Sequence, residues 1–194
     1  MQPKSPFRPA VIEDAPILAE MVNQAGEGLP LYLWGKMAAA GETAWDVGRR
    51  RAAREEGSFS YRNAVIIEHA GQAAGCLIGY EIPDVPKPIA AGMPAMFVPM
   101  QELENLAPGT WYVNVLAVMP QFRGHGLGTK LLALADDTAR TLGKRGMSVI
   151  VTDANRGARR LYERCGYREC AARPAVKEDW INDIRDLLLL TKDL

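Results

Sequence analysis

No apolar run in the 194-residue sequence approaches the roughly 20 residues that span a bilayer. The opening stretch MQPKSPFRPAVIEDA also lacks the apolar centre of a signal peptide. A cytoplasmic protein with no membrane partner is expected. Cysteine is scarce and odd in number: Cys76, Cys165 and Cys170 share no CxxC spacing. They suit neither a disulfide framework nor a thiolate zinc site, and they read as small buried apolar residues kept reduced. The only imidazoles are His69 and His125, so no metal is expected. An excess of one charge is missing as well, since Lys plus Arg and Asp plus Glu stand at 23 each. Without a basic surplus there is no bulk attraction to a phosphate backbone, and nucleic acid is not an expected partner.

What is present is ordinary globular material, 48% hydrophobic and 24% charged, in a length that suits one domain over residues 1–194. Residues 7–12 read as a strand. Glu13, Asp14 and Pro16 then head an amphipathic helix carrying Ile17, Leu18, Met21 and Val22. One or two helices follow over 28–57, broken near Gly41, with Arg49, Arg50, Arg51 and Arg54 on a solvated face. Residues 61–69 and 73–82 form a hairpin through 70–72. The prolines of 83–109 predict an irregular loop. A strand over 110–118 leads to a helix over 126–142, with Leu127, Leu131, Leu134, Ala135, Thr138 and Leu142 inward and Asp136 outward. A strand at 147–152 precedes a helix bearing Ala158, Leu161, Tyr162 and Cys165, stopped by Gly166, and strands close the chain at 167–172 and 187–191. The class is mixed α/β around a strand-helix-strand-helix unit.

Chemistry concentrates after residue 118, in Pro120-Gln-Phe-Arg123-Gly124-His125-Gly126-Leu127-Gly128. Glycines allow a ligand to approach the backbone, and the free N–H groups of the following helix suit an anion such as a pyrophosphate. Thr129 stands where a dinucleotide fingerprint needs its third glycine, and no GxxxxGK[ST] loop is formed. A second cluster runs Asn155-x-x-Ala158-x-x-Leu161-Tyr162-x-x-x-Gly166-Tyr167. Together with Arg123-x-x-Gly126-x-Gly128, it resembles the GNAT superfamily of acyl-CoA-dependent N-acetyltransferases.

The resemblance implies a central mixed, mostly antiparallel sheet with helices on both faces and a splayed central strand pair. It implies acetyl-CoA as acyl donor, without metal, and a small-molecule amine or peptide amine as acceptor. Arg123, Gly124, His125, Gly126, Leu127 and Gly128 would wrap the pyrophosphate, with Thr129 at the helix start. The main chain of Leu116, Ala117 and Val118 would pair with the pantetheine arm, and Asn155 would lie beside it. Tyr162 would face the thioester sulfur. Asn155 also reads as a helix cap, and Tyr162 as a core aromatic. Many relatives place a glutamate on the central strand to take the amine's proton, whereas residues 111–118 here hold no carboxylate. Glu81 on the preceding strand is one substitute, with Glu102 and Glu104 in the loop behind it, and proton removal through water is the alternative. The expected function is acetyl transfer to a primary amine in a ternary complex. The alternative is a non-catalytic acyl-CoA-binding module. Acceptor choice would fall to residues 29–45 and 83–109, and a homodimer is compatible with such a fold.

Overall fold

The computed structural model of the protein describes residues 6–194. Strand β1 (Phe7–Pro9) ends sooner than the apolar pattern predicts. The Asp14 carboxylate accepts the Val11 N–H at 2.8 Å and curls Ile12–Asp14 into a 3-10 turn. Helix α1 (Ala15–Ala25) carries proline in its first turn, where the missing N–H costs nothing. Helices α2 (Leu29–Met37) and α3 (Ala44–Ala52) follow. At the start of α3, Thr43 accepts the Asp46 N–H at 3.2 Å and Asp46 accepts the Thr43 N–H at 2.9 Å. This reciprocal cap lets α3 begin at once after the Gly41 break.

Strands β2 (Ala64–His69) and β3 (Gln72–Glu81) pair antiparallel across Ala70 and Gly71, both at positive φ, as the right-handed twist of a tight hairpin requires. The remaining strands are β4 (Thr110–Val118), β5 (Gly146–Thr152), β6 (Arg168–Pro174) and β7 (Asp186–Asp193). One seven-stranded sheet results, in the order β1-β2-β3-β4-β5-β7-β6. The β1–β2, β2–β3, β5–β7 and β6–β7 pairs are antiparallel, whereas β4 and β5 run parallel. The β4–β5 register stops at Val113↔Val149 although both strands continue, in keeping with a splayed pair. Helices α4 (Val98–Glu104), α5 (Leu127–Thr141) and α6 (Arg156–Arg164) complete the mixed α/β architecture.

The chain forms two compact units, one up to Gly79 together with Val115–Leu131, the other Tyr80–Asn114 with Leu132–Leu194. The first has a core of Leu18, Met21, Trp34, Phe59, Ile66 and Ile78, in which Trp34 stacks on Phe59 at 5.8 Å. The second includes a core of Leu103, Ala107, Leu187 and Leu189.

Several expectations are corrected. Residues 83–109 are not simply irregular: Ala95–Phe97 forms a 3-10 turn leading into α4, and Met100, Leu103 and Ala107 pack inward at helical spacing. Pro99 sits in the first turn, where proline is tolerated. Asp136 is buried rather than outward, answered by Lys192 Nζ at 2.5 Å. Leu142 lies beyond the end of α5 and is 46% exposed. Of the cysteines only Cys76 is buried, which pushes its thiol up to about 12, whereas Cys170 is exposed. Among the described residues no helix is long and apolar enough to cross a membrane.

Candidate functional site

In the first unit β4 runs through alternating environments. Val115 and Ala117 point into the core, while Leu116 and Val118 are half-buried. A Cβ at Gly75 would lie 2.4 Å from the Ala117 carbonyl oxygen, so glycine is needed for β3 to come this close to β4. After β4, the Met119 N–H donates to Ala74 O at 2.9 Å, and Pro120–Phe122 makes a 3-10 turn. Gly124 and Gly126 then take φ of +82° and +71°, conformations that an L side chain resists. Those two reversals bring the chain into α5.

The first helical bond of α5 runs from the Lys130 N–H to Gly126 O at 3.1 Å. Among the described residues, the main-chain N–H groups of Gly124, His125, Gly126, Leu127, Gly128 and Thr129 have no main-chain acceptor. Some of these are the donors that every helix start leaves over, and the turn extends the set. With the positive end of the helix dipole behind them, they form an anion cradle. Arg123 turns its Nε back to Val118 O at 3.3 Å. His125 Nδ1 lies 3.0 Å from Arg123 O and 3.2 Å from Phe122 O. Both neighbours are acceptors, so Nδ1 carries the proton. The His125 ring also lies 4.6 Å from that of His69, 56 positions earlier in the chain.

In the second unit Asn155 caps α6: its Oδ1 accepts the Ala158 N–H at 3.1 Å. Tyr162, on the inward face of α6, is 6% exposed, and its ring lies 5.5 Å from that of Tyr167. Burial, then the neighbouring Cys165, raises the Tyr162 hydroxyl well above the usual phenol range.

The three candidate carboxylates differ in company. Glu81 pairs with Lys144 Nζ at 2.5 Å and is half-exposed. Glu102 pairs with Arg173 Nε at 2.7 Å. Glu104, at the end of α4, instead accepts the Tyr80 hydroxyl at 2.9 Å, and the Tyr80 ring lies 5.1 Å from that of Tyr112. Burial raises the Glu104 carboxyl above its ordinary value, outweighing the Tyr80 hydrogen bond and the field of Lys87. Such a carboxylate is a better proton acceptor than one neutralised by a cation. The contributions of Tyr80 and Tyr112 were not read from sequence; two tyrosines on strands flanking a motif were the available signal. Among the described residues no group of three metal-ligating side chains is found.

The fold is shared with solved N-acetyltransferases. That of Staphylococcus aureus Mu50 superposes with a TM-score of 0.63 at 18% identity, covering 95% of this chain and 98% of that one. The ribosomal-protein-alanine N-acetyltransferase of Brucella melitensis gives 0.61 at 22% identity, covering 97% and 99%. At these identities the likeness concerns the fold alone. The chain belongs to the acetyltransferase (GNAT) family, whose sequence pattern matches residues 34–167. A curated acetyltransferase of Agrobacterium fabrum is 44% identical over 64 residues, 32% of this chain and 44% of that relative. The matched stretch is thus less than half of that relative's length.

Proposed function

We propose that the protein transfers the acetyl group of acetyl-CoA to a primary amine by direct attack in a ternary complex. The observation that carries this reading is the row of main-chain donors from Gly124 to Thr129 without main-chain acceptors, in a chain of the acetyltransferase family. Six consecutive donors at a helix start fit a diphosphate, and the two positive-φ glycines keep side chains out of its way. When bound, acetyl-CoA supplies an activated acetyl group. The main chain of Leu116, Ala117 and Val118 holds the pantetheine arm. Asn155, by capping α6, fixes the helix that carries Tyr162.

Tyr162 acts by hydrogen bonding. A phenol of pKa about 10 is already a weaker acid than a thiol of about 8.5, and burial weakens it further. Its role is therefore a bond that strengthens as charge grows on the departing sulfur, rather than outright proton donation. An attacking amine must first lose its ammonium proton. Glu104 receives that proton, held in place by the Tyr80 hydroxyl, in preference to Glu81, whose charge is answered by Lys144.

The test is release of free CoA thiol from acetyl-CoA across a panel of primary amines, with the acetylated amine identified by mass spectrometry. Amine-dependent release supports transfer. Tight binding of acetyl-CoA with no release for any amine makes the protein a non-catalytic acyl-CoA-binding module.

A further inference from the structure

The anion cradle needs more order than its own segment supplies. Its main-chain N–H groups from Gly124 to Thr129 have no main-chain acceptor among the described residues. Its two reversals fall at Gly124 and Gly126, where a Cβ would meet nothing within 4 Å, so no neighbour crowds the corners. Glycine is also the residue with the most conformations to lose. Left to itself, such a turn would scatter its donors, and an incoming anion would bear the cost of gathering them.

Two sets of contacts oppose that scatter, both within the first unit. Inside the turn, His125 Nδ1–H donates towards the carbonyls of Phe122 and Arg123, at 3.2 and 3.0 Å. From outside, the β2–β3 hairpin reaches the same segment. The His69 ring, at the end of β2, lies 4.6 Å from the His125 ring and meets the Phe122 ring edge-on at 5.8 Å. The hairpin is irregular at this place: Ile67 pairs with Gly75 but Glu68 with Ala73, which leaves Ala74 as the extra residue of a β-bulge. Bulges re-aim the groups around them and recur beside functional sites. Here the bulged Ala74 gives its carbonyl to the Met119 N–H at 2.9 Å, and His69 follows in the last rung of the hairpin, opposite Gln72. The hairpin itself turns at Ala70 and Gly71, both at positive φ, and does not need an imidazole at 69.

We propose that His69 is a positioning residue for the cofactor: its ring, set against Phe122 and His125, holds the cradle in its binding conformation before the diphosphate arrives. The inference rests on the proposed seating of the diphosphate in the cradle. Phe122 stands just before the row of donors and His125 is one of its members, so a single ring touching both spans the entry to the turn. His69 takes no part in the chemistry, and its loss therefore falls on cofactor affinity rather than on the rate of the bound complex.

The experiment measures CoA binding to the full chain by calorimetry, and acetyl-CoA kinetics separately. His69→Gln, which keeps polarity but removes the ring, should weaken CoA about tenfold, the worth of one or two ring contacts. KM for acetyl-CoA should rise by a similar factor with kcat near the parent value. His69→Phe keeps a flat ring and should bind CoA within about twofold of the parent. In a His125→Ala background, His69→Gln should cost less than in the parent, because one of its two ring partners is already gone. His69 is half-buried at a hairpin end, so the variants are expected to fold, and melting temperatures check this; His69→Thr, a strand former without a ring, replaces His69→Gln if that variant does not fold. CoA bound by the parent and equally well by the ringless variant overturns the proposal and leaves the cradle standing. Equal losses in the ringless and Phe variants, or a loss unchanged by His125→Ala, overturn it as well. A parent chain that binds no CoA refutes the cradle reading itself, and this inference with it.

Discussion

Tyr162 and Glu104 both sit where burial disfavours their charged forms, with opposite consequences for what each can do. The Tyr162 phenol stays neutral and can only lend its proton to a hydrogen bond. Tyr162→Phe should therefore lower kcat and kcat/KM together by about 10²-fold while leaving acetyl-CoA affinity nearly unchanged, as steady-state kinetics and calorimetry can check. An unchanged rate when chemistry limits turnover would make Tyr162 a packing residue. Glu104 has a folded-state pKa above its ordinary value. Its contribution to stability is full below the unfolded carboxyl pKa and is lost as pH rises through the raised value. At neutral pH the ionised carboxylate is thus a burden on the fold. Glu104→Gln should leave the melting temperature at pH 7 equal or higher, with the gain vanishing towards pH 4, while turnover falls at least 10²-fold. A loss of stability at pH 7 with normal turnover would mark Glu104 as structural. The Tyr80–Glu104 contact was illegible in the sequence, because its partners lie 24 positions apart on a strand and a helix and no spacing rule joins them.

Among the elements, the turn into α5 was legible because it has a local cause. Gly124 and Gly126 occupy conformations that glycine adopts without penalty, so their spacing alone marks a reversal leading into a helix. A Cβ at either position would meet nothing within 4 Å. The restriction is conformational rather than steric. Gly126→Ala should consequently cost roughly 1–2 kcal/mol in backbone strain, and should weaken acetyl-CoA by tenfold or more by displacing the donors. Calorimetry would decide: full affinity in the variant means that the turn does not hold the diphosphate. α4 was missed because its prolines resemble breakers when read in order, and only the tertiary packing of Leu103 against the β7 leucines shows the helix. Asp136 was misplaced for a similar reason, since its partner Lys192 lies 56 residues later. The cap at Asn155 was readable, and Asn155→Ala should lower stability by about 1 kcal/mol, measurable by denaturant unfolding.

For the whole molecule, ligand binding and folding are linked. Acetyl-CoA at about 100 times its dissociation constant should add about 2.7 kcal/mol to stability, and for a chain of this size that corresponds to a rise in melting temperature of roughly 5–10 °C. The absence of any shift at millimolar acetyl-CoA or CoA would remove the basis for the cradle. The row of unanswered donors at Gly124 to Thr129 has a further consequence. Protection of an amide against deuterium uptake comes from a bonded acceptor, and these six have none in the main chain. Deuterium should therefore enter the first turn of α5 within seconds while the centre of the same helix stays protiated. Adding CoA should slow uptake at these six positions selectively, tracing the outline of the diphosphate in isotope content without any change of sequence.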